Sequence, residues 1–444
     1  MYLPSPTYTG KLLTNANLPQ VGGLLLAINN GELSTVSSQK NVTVRPTKTD
    51  FTATKTRFNL PENVIYLDGN SLGALPKGVA ERVQRVVNDQ WGTSLIRGWN
   101  DHGWIHTPST IGDRIGQLIG AAPGTVLCTD NTSINVFKVL GAALKLRPDR
   151  KVILSDTGNF PTDLYMAQGL NQLLDAGHEL KLVAPEEVEA ALDDTIAVMM
   201  VTEVDYRTGR RHDMKHLTKA AHDAGALAIW DLAHSAGAFP VKLDACDADF
   251  AIGCGYKYLN GGPGAPAFVY ANKKHHETMR TPLAGWWGHA APFDFDLNYR
   301  PASGIDQMRV GTAPILAMAA MDAALDLWDD VDLEDIRTRS VDLCELFIAE
   351  VEARCPELEL ASPRDANVRG SQVSFRSQNG YAVMQALIAA GVIGDFRAPD
   401  IIRFGFTPLY ISLEDVVRAA EILEDTLKFR KWDKPEYSVR AAVT

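Results

Sequence analysis

The sequence predicts an α/β fold, with a large domain built on a mainly parallel sheet and a smaller C-terminal α/β domain after it. Three observations point that way. The chain has 444 residues, more than one hydrophobic core usually serves, so a large domain plus a smaller one is expected. Its middle alternates short β-branched runs with helical stretches at intervals of roughly 20 to 30 residues, the rhythm of βαβ units around a parallel sheet. Beyond residue 311 that rhythm gives way to a long helical region and two short strand candidates.

In chain order, residues 1–45 are rich in Ser, Thr, Asn and Gly and read as a loosely ordered extension. The large domain with its N-terminal segment then covers 46–310, and the small domain 311–444. The apolar run 21–28 is far too short to span a bilayer. It has no basic region close before it and no small-residue cleavage pattern, so a signal peptide is not expected. Ile65, Tyr66 and Leu67 form a short apolar run closed by the turn signal Asp68, Gly69, Asn70. Pro76 opens a helical stripe of Val79, Val83, Val86, Val87 and Trp91. Strands are expected over 151–154, 180–183, 196–201, 226–230, 248–253 and 267–270, and helices over 162–175, 186–192 and 214–224. In the small domain a helical region is expected over 313–354, strands over 372–375 and 401–404, and a last helix over 413–429.

Composition narrows the function. Apolar residues make up 45% and charged residues 22%, ordinary globular values. The net charge of −11 argues against nucleic-acid or anionic-membrane partners, which need clustered Lys and Arg. The five cysteines, Cys128, Cys246, Cys254, Cys344 and Cys355, are scattered and form no C-x-x-C pair. Neither a metal site nor a disulfide framework is supported, and reduced, buried thiols in a cytoplasmic protein are the expectation.

The chemistry-bearing residues sit where strands end, which is where parallel sheets bind ligands. Lys257 follows a strand, beside Tyr256 and Tyr258, and precedes a loop with three glycines, Gly261, Gly262 and Gly264. Glycines there let backbone approach a bound group closely. A sheltered site would lower the lysine pKa and suit it to form a Schiff base. Asp231 ends the strand before that one. By itself it is equally an ordinary N-cap, but a buried carboxylate needs a cation. The protonated pyridine nitrogen of pyridoxal 5'-phosphate (PLP) is such a cation, and an Asp and a Lys each after its own strand is the pair a PLP fold requires. Thr132 and Ser133 lie at a helix start, where free N–H groups and hydroxyls make an anion site or a plain cap. Phe160 can stack on a cofactor, and Asp163 and Thr202 have similar access or are turn and capping residues. Trp286 and Trp287, flanked by Gly285 and Gly288, are a poor core motif, and an indole N–H could reach a phosphate or substrate. Arg403, in the small domain, suits a carboxylate or a surface ion pair.

These blocks, in this order, closely resemble the kynureninase family of fold-type I PLP enzymes, in the aminotransferase class V superfamily. The resemblance runs from Leu67 to about residue 425 and rests on FPTD at 160–163, DLAHSAG at 231–237, GYKYLNGGPG at 255–264 and GWWGH at 285–289. It implies a seven-stranded large-domain sheet and the hydrolysis of L-kynurenine to anthranilate and L-alanine, a step of tryptophan catabolism. It implies that Lys257 carries the cofactor and shuttles the α-proton, that Asp231 pairs with the pyridine nitrogen, and that Phe160 stacks on the ring. Thr132, Ser133, Tyr256 and Trp286 would hold the phosphate, and His234, Asp163, Thr202 and Thr312 would line the pocket. Arg403 would bind the substrate carboxylate, with Asn70, Ser71 and, through a looser alignment, His102 nearby; Tyr256 would also donate a proton. A Thr at position 312 goes with kynurenine rather than 3-hydroxykynurenine as substrate. The resemblance further implies a homodimer with shared sites, with the GWWGH segment and Thr312 crossing over. The rival readings are a cysteine desulfurase or selenocysteine lyase, which needs a nucleophilic cysteine on a mobile loop, and a non-enzymatic sensor or scaffold, which would have no need of Lys257 and Asp231.

Overall fold

The computed structural model describes residues 20–21, 24–29, 32–36 and 41–440, with side chains from residue 44 onward. The described residues up to 46 and those from 47 onward fall into two compact units. In the first, Gln20–Val21, Leu24–Asn29, Glu32–Val36 and Asn41–Thr43 pair in that order as an antiparallel sheet. Much of the expected loosely ordered extension lies outside the described residues.

The second unit is organised by a seven-stranded sheet in the order Val126–Cys128, Ala267–Ala271, Phe250–Cys254, Leu227–Asp231, Ile196–Thr202, Val152–Asp156, Glu179–Val183. Only Ala267–Ala271 runs antiparallel to its neighbours. Apart from the edge strand Glu179–Val183, the strands are buried along their whole length and rich in Val, Ile, Ala and Met, as a sheet covered on both faces requires. Helix Thr132–Leu146 packs Val136, Val139, Leu140 and Ala143 into the core with Ile153, Val198, Ile229 and Ile252. The six expected strands of this sheet all form, shifted by a residue or two. The seventh, Val126–Cys128, is too short to give a periodic signal and exists through its pairing with Phe268, Val269 and Tyr270.

Two helix expectations change. Over 186–192 there is only the 3-10 turn Pro185–Glu187 and further turns. The Glu187 carboxylate caps the Ala184 N–H, and Asp193 takes the Thr195 N–H and hydroxyl, local bonds that compete with a helix. The region 313–354 divides into Ile315–Leu325 and Leu333–Arg354, because Asp332 accepts from Glu334 N and starts a new helix.

The C-terminal part holds an antiparallel sheet ordered Glu359–Leu360, Gln372–Arg376, Ile401–Gly405, Asp395–Arg397. Helices Leu333–Arg354 and Leu413–Lys428 accompany it. Ile65–Tyr66 pairs in parallel with Val392–Ile393, and Gly405 N donates to Leu67 O at 2.7 Å. These bonds bring the turn at Asp68–Ser71 against Arg403. Among the described residues, no helix is long and apolar enough to cross a membrane.

One buried charge cluster braces the large sheet. Asp249, 0% exposed, accepts from His222 and His275 at 2.7 Å each and from Ala228 N at 2.8 Å, with Lys274 at 3.0 Å. Burial pushes this carboxyl up, but the histidines, the Ala228 N–H and Lys274 outweigh it and hold it well below the usual carboxylate range. A carboxyl depressed on folding contributes stability that is present above its unfolded value of about 3.9 and is lost as pH falls through the folded value. Asp249→Asn is therefore expected to cost about 3 kcal/mol in urea unfolding at neutral pH, with a gap to wild type that narrows below about pH 4. An unchanged gap across that range would refute the assignment.

Candidate active site

A cavity of 410 Å³ opens at the carboxyl ends of the central strands. It lies where chain order reverses, since the strands following Ile196–Thr202 add on one side of it and the two just before it, Val152–Asp156 and Glu179–Val183, lie on the other. Register places Thr202 beside Asp231, and Asp231 beside Ile252, so the next turn carries Tyr256 and Lys257 into the same space. From the strand Val152–Asp156 the chain passes Phe160 into helix Pro161–Leu174, whose first turn supplies Asp163. From the far side, helix Thr132–Leu146 presents its N-terminus, capped by Asn131, with Thr132 and Ser133 on the cavity wall.

Burial governs the electrostatics. It pulls the Lys257 amine below the usual lysine range, against Cys254 and Asp231, while Arg403 and Arg397 add to the pull. Lys257 Nζ lies 5.9 Å from the ring centroids of both Phe160 and Tyr256. Asp231 is pushed up by burial and restrained by Lys257 and by the Ala233 N–H, which donates to it at 2.8 Å. Asp163 is pushed well up by burial and then by Asp231. Burial and then Lys257 hold the His234 imidazole well below its usual range, so it is neutral at pH 7. The Tyr256 phenol is pushed well up by burial and then by Cys254, and stays protonated.

Among the described residues, both Asp163 oxygens and His234 Nδ1 are buried without a hydrogen-bond partner. Such groups are costly unless something fills the space between them. PLP fits: a helix N-terminus and two hydroxyls for its phosphate, carboxylates for its pyridinium, an aromatic face for its ring and a depressed lysine for its aldehyde.

The cavity thus brings together Thr132, Ser133, Phe160, Asp163, Thr202, Asp231, His234, Tyr256 and Lys257. The other expected residues lie elsewhere. Arg403 is buried behind the wall, bonded to Asp395 and to the Tyr206 carbonyl, and Asn70 and Ser71 contact its guanidinium rather than the cavity. His102 is exposed and bonds Ser94 Oγ at 2.9 Å. Trp286 donates to Pro292 O at 2.5 Å and packs on Trp287 and Phe293, and Thr312 accepts from Trp287 Nε1 at 3.4 Å. Neither reaches this chain's cavity.

Sequence reasoning missed four contributors. Thr162 meets Ser133 at 3.1 Å, and Tyr206 lines the wall edge-on to Phe160 at 5.1 Å. Gly73 donates its N–H to Tyr256 O at 2.7 Å, and a Cβ there would sit 2.3 Å from Lys257 O, so only glycine lets this turn press on the lysine loop. Asp395 neutralises Arg403. Thr162 and Gly73 stood inside recognisable blocks, but Tyr206 and Asp395 carried no local signal.

The mainly parallel sheet, its lysine past one central strand and its carboxylate on the next define a PLP-dependent enzyme of fold type I. Solved structures agree on the fold. A cysteine desulfurase from Thermococcus onnurineus superposes with a TM-score of 0.72 at 21% identity, covering 85% of this chain and 98% of that one. One from Escherichia coli gives 0.73 at 18% identity, covering 86% and 100%. Sequence is more specific. Kynureninase from Burkholderia pseudomallei is 52% identical over 395 residues, 87% of this chain and 95% of the relative, and that from Pseudomonas fluorescens is 50% identical over the same shares. Residues 336–423 match the family model of the kynureninase C-terminal domain. The chain belongs to the kynureninase family, hydrolases acting on a carbon–carbon bond.

Proposed function

We propose that this enzyme hydrolyses L-kynurenine at its Cβ–Cγ bond, releasing anthranilate and L-alanine, and that it prefers kynurenine to 3-hydroxykynurenine. The observation that carries the reading is the meeting of Lys257, Asp231 and Tyr256 in one cavity. PLP, when bound, supplies an electron sink for the pair left by α-deprotonation. Lys257, whose amine burial pulls below the usual lysine range, would anchor the cofactor and carry the α-proton. Asp231 would pair with the pyridine nitrogen and keep it protonated, Phe160 would face the ring, and Thr132, Ser133 and Tyr256 would hold the phosphate. Thr202, Asp163 and His234 complete the wall. Tyr256, protonated and beside Lys257, donates a proton to the alanyl fragment as it leaves. The substrate carboxylate is drawn by the positive charge of Arg403, whose guanidinium Asn70 and Ser71 contact, with His102 as a further substrate residue.

Trp286 and Thr312 serve the site of a second chain in a homodimer, which accounts for their distance from the cavity of their own chain. The protein is assigned to the cytoplasm. The desulfurase alternative finds no support, since none of the cysteines is among the cavity-lining residues.

Purified protein should absorb near ~420 nm from lysine-bound cofactor and convert L-kynurenine to fluorescent anthranilate with stoichiometric alanine. A higher kcat/KM for 3-hydroxykynurenine would overturn the preference. Cofactor absorption with an inert L-kynurenine would overturn the substrate.

A further inference from the structure

A lysine lies in the core of the large domain, in the second turn of the helix whose N-terminus faces the cavity. Lys138 belongs to helix Thr132–Leu146, and its side chain is 0% exposed. Lysine is almost never buried so fully unless its charge is paired. Its Nζ donates to Asp130 Oδ2 at 2.6 Å and to the Met308 carbonyl at 2.7 Å. Burial pulls the amine below the usual lysine range, and Asp130 works against that pull. A methionine would fill such a space without the cost of burying a charge, so packing does not account for the ammonium.

Asp130 stands directly before Asn131, the helix cap, and so beside the turn that carries Thr132 and Ser133 to the cavity wall. Its φ of 51° is left-handed, which Asp tolerates better than most residues. The backbone there is tied to the sheet: Ala267 N donates to Asp130 O at 3.0 Å, and Thr129 N to Ala267 O at 2.8 Å. Asn135 Nδ2, from the helix, donates to Thr129 O at 2.9 Å. The carboxylate is therefore held next to a helix start that favours anions, and its own negative charge opposes that preference. Thr129 Oγ1 donates to it at 3.2 Å but is neutral. Among the described residues, Lys138 is its only ion-pair partner.

We propose that Lys138 is a positioning residue for the cofactor: by cancelling the charge of Asp130, it keeps the start of helix Thr132–Leu146 receptive to the phosphate of PLP. This rests on the reading that Thr132 and Ser133 hold that phosphate. The purely structural alternative is that Lys138 pins Met308, at the end of the turn Gly304–Met308.

The test strips full-length holoenzyme of cofactor and titrates it with PLP and with pyridoxal, which lacks the phosphate. Wild type is compared with Lys138→Met, Asp130→Asn and the double variant. Lys138→Met is expected to lower the preference for PLP over pyridoxal about tenfold, and Asp130→Asn to raise it about tenfold. Asp130 is 23% exposed, so water screens part of the charge and keeps the effect at that size. The double variant should return to within about threefold of wild type. Pinning Met308 would lower the melting temperature but move both ligands together, so an unchanged preference in the single variants overturns the proposal. A double variant as weak as Lys138→Met overturns it too. Asn keeps an oxygen for Lys138 and accepts the left-handed backbone, so if Lys138→Met does not fold, Asp130→Asn decides alone. Ser133→Ala separates the two readings. A lowered preference there with unchanged Lys138 and Asp130 variants removes Lys138 alone, and an unchanged one removes the phosphate cradle as well.

Discussion

Lys257→Ala is expected to abolish the ~420 nm absorption of lysine-bound cofactor and to lower kcat/KM at least ~10⁴-fold, the upper range for a proton-transferring group. The expectation follows from position and protonation together. Lys257 lines the cavity, and burial depresses its amine so that a neutral form is accessible. No other lysine lines that cavity. Fold and cofactor cradle should persist, because Thr132, Ser133 and Asp231 are held by their own helix and strand. Removing a buried amine also relieves a desolvation cost, so the variant should melt no lower than wild type. Cofactor should remain bound but exchangeable on dialysis. Turnover within about tenfold of wild type would remove Lys257 from the mechanism.

Asp231→Asn carries the second large effect. The Asn side-chain oxygen can still accept the Ala233 N–H that Asp231 takes at 2.8 Å. The change therefore deletes a charge while keeping the geometry. Breaking a buried ion pair by removing one partner costs about 3–5 kcal/mol, so kcat is expected to fall ~10²–10³-fold if most of that loss is felt in the transition state. A second consequence concerns Asp163, whose carboxyl is raised by burial and then by Asp231. Without the Asp231 charge it ionises more readily, so an acid limb due to Asp163 should move to lower pH in the variant. Asp231→Glu, which keeps the charge, should restore part of the rate. Steady-state kinetics from acid to neutral pH measure both effects, and an unchanged kcat in Asp231→Asn would rule out the pairing.

The fold class and the centre of the site were legible in the sequence because both are local. Each strand of the large sheet is a short apolar run, and Thr202, Asp231 and Lys257 end or closely follow their own strands. A reader who finds the strand has found the residue, and parallel register aligns those ends without further information. The helix break near Asp326–Trp328 was less visible, because apolar positions continue across it and only the cap at Asp332 marks the restart.

What the tertiary structure decided is the environment of Arg403 and the place of the tryptophans. Arginine at 403 was readable as a carboxylate binder by residue type alone. Its internal partner Asp395 sits across an antiparallel edge, and Ser71, which joins them, lies 324 positions from Asp395. No periodicity links residues so far apart. The parallel pairing of Ile65–Tyr66 with Val392–Ile393 brings them together. Trp286 and Trp287 were unusual enough to be noticed, but their ring contacts with Phe293 arise only when the loop folds back on itself. Sequence by itself determined which polar groups stand at the strand ends that line the cavity, since strand ends are written in consecutive residues. The long-range pairing of strands decided which of those groups are free to act, because a buried charge is set by whatever the fold places against it.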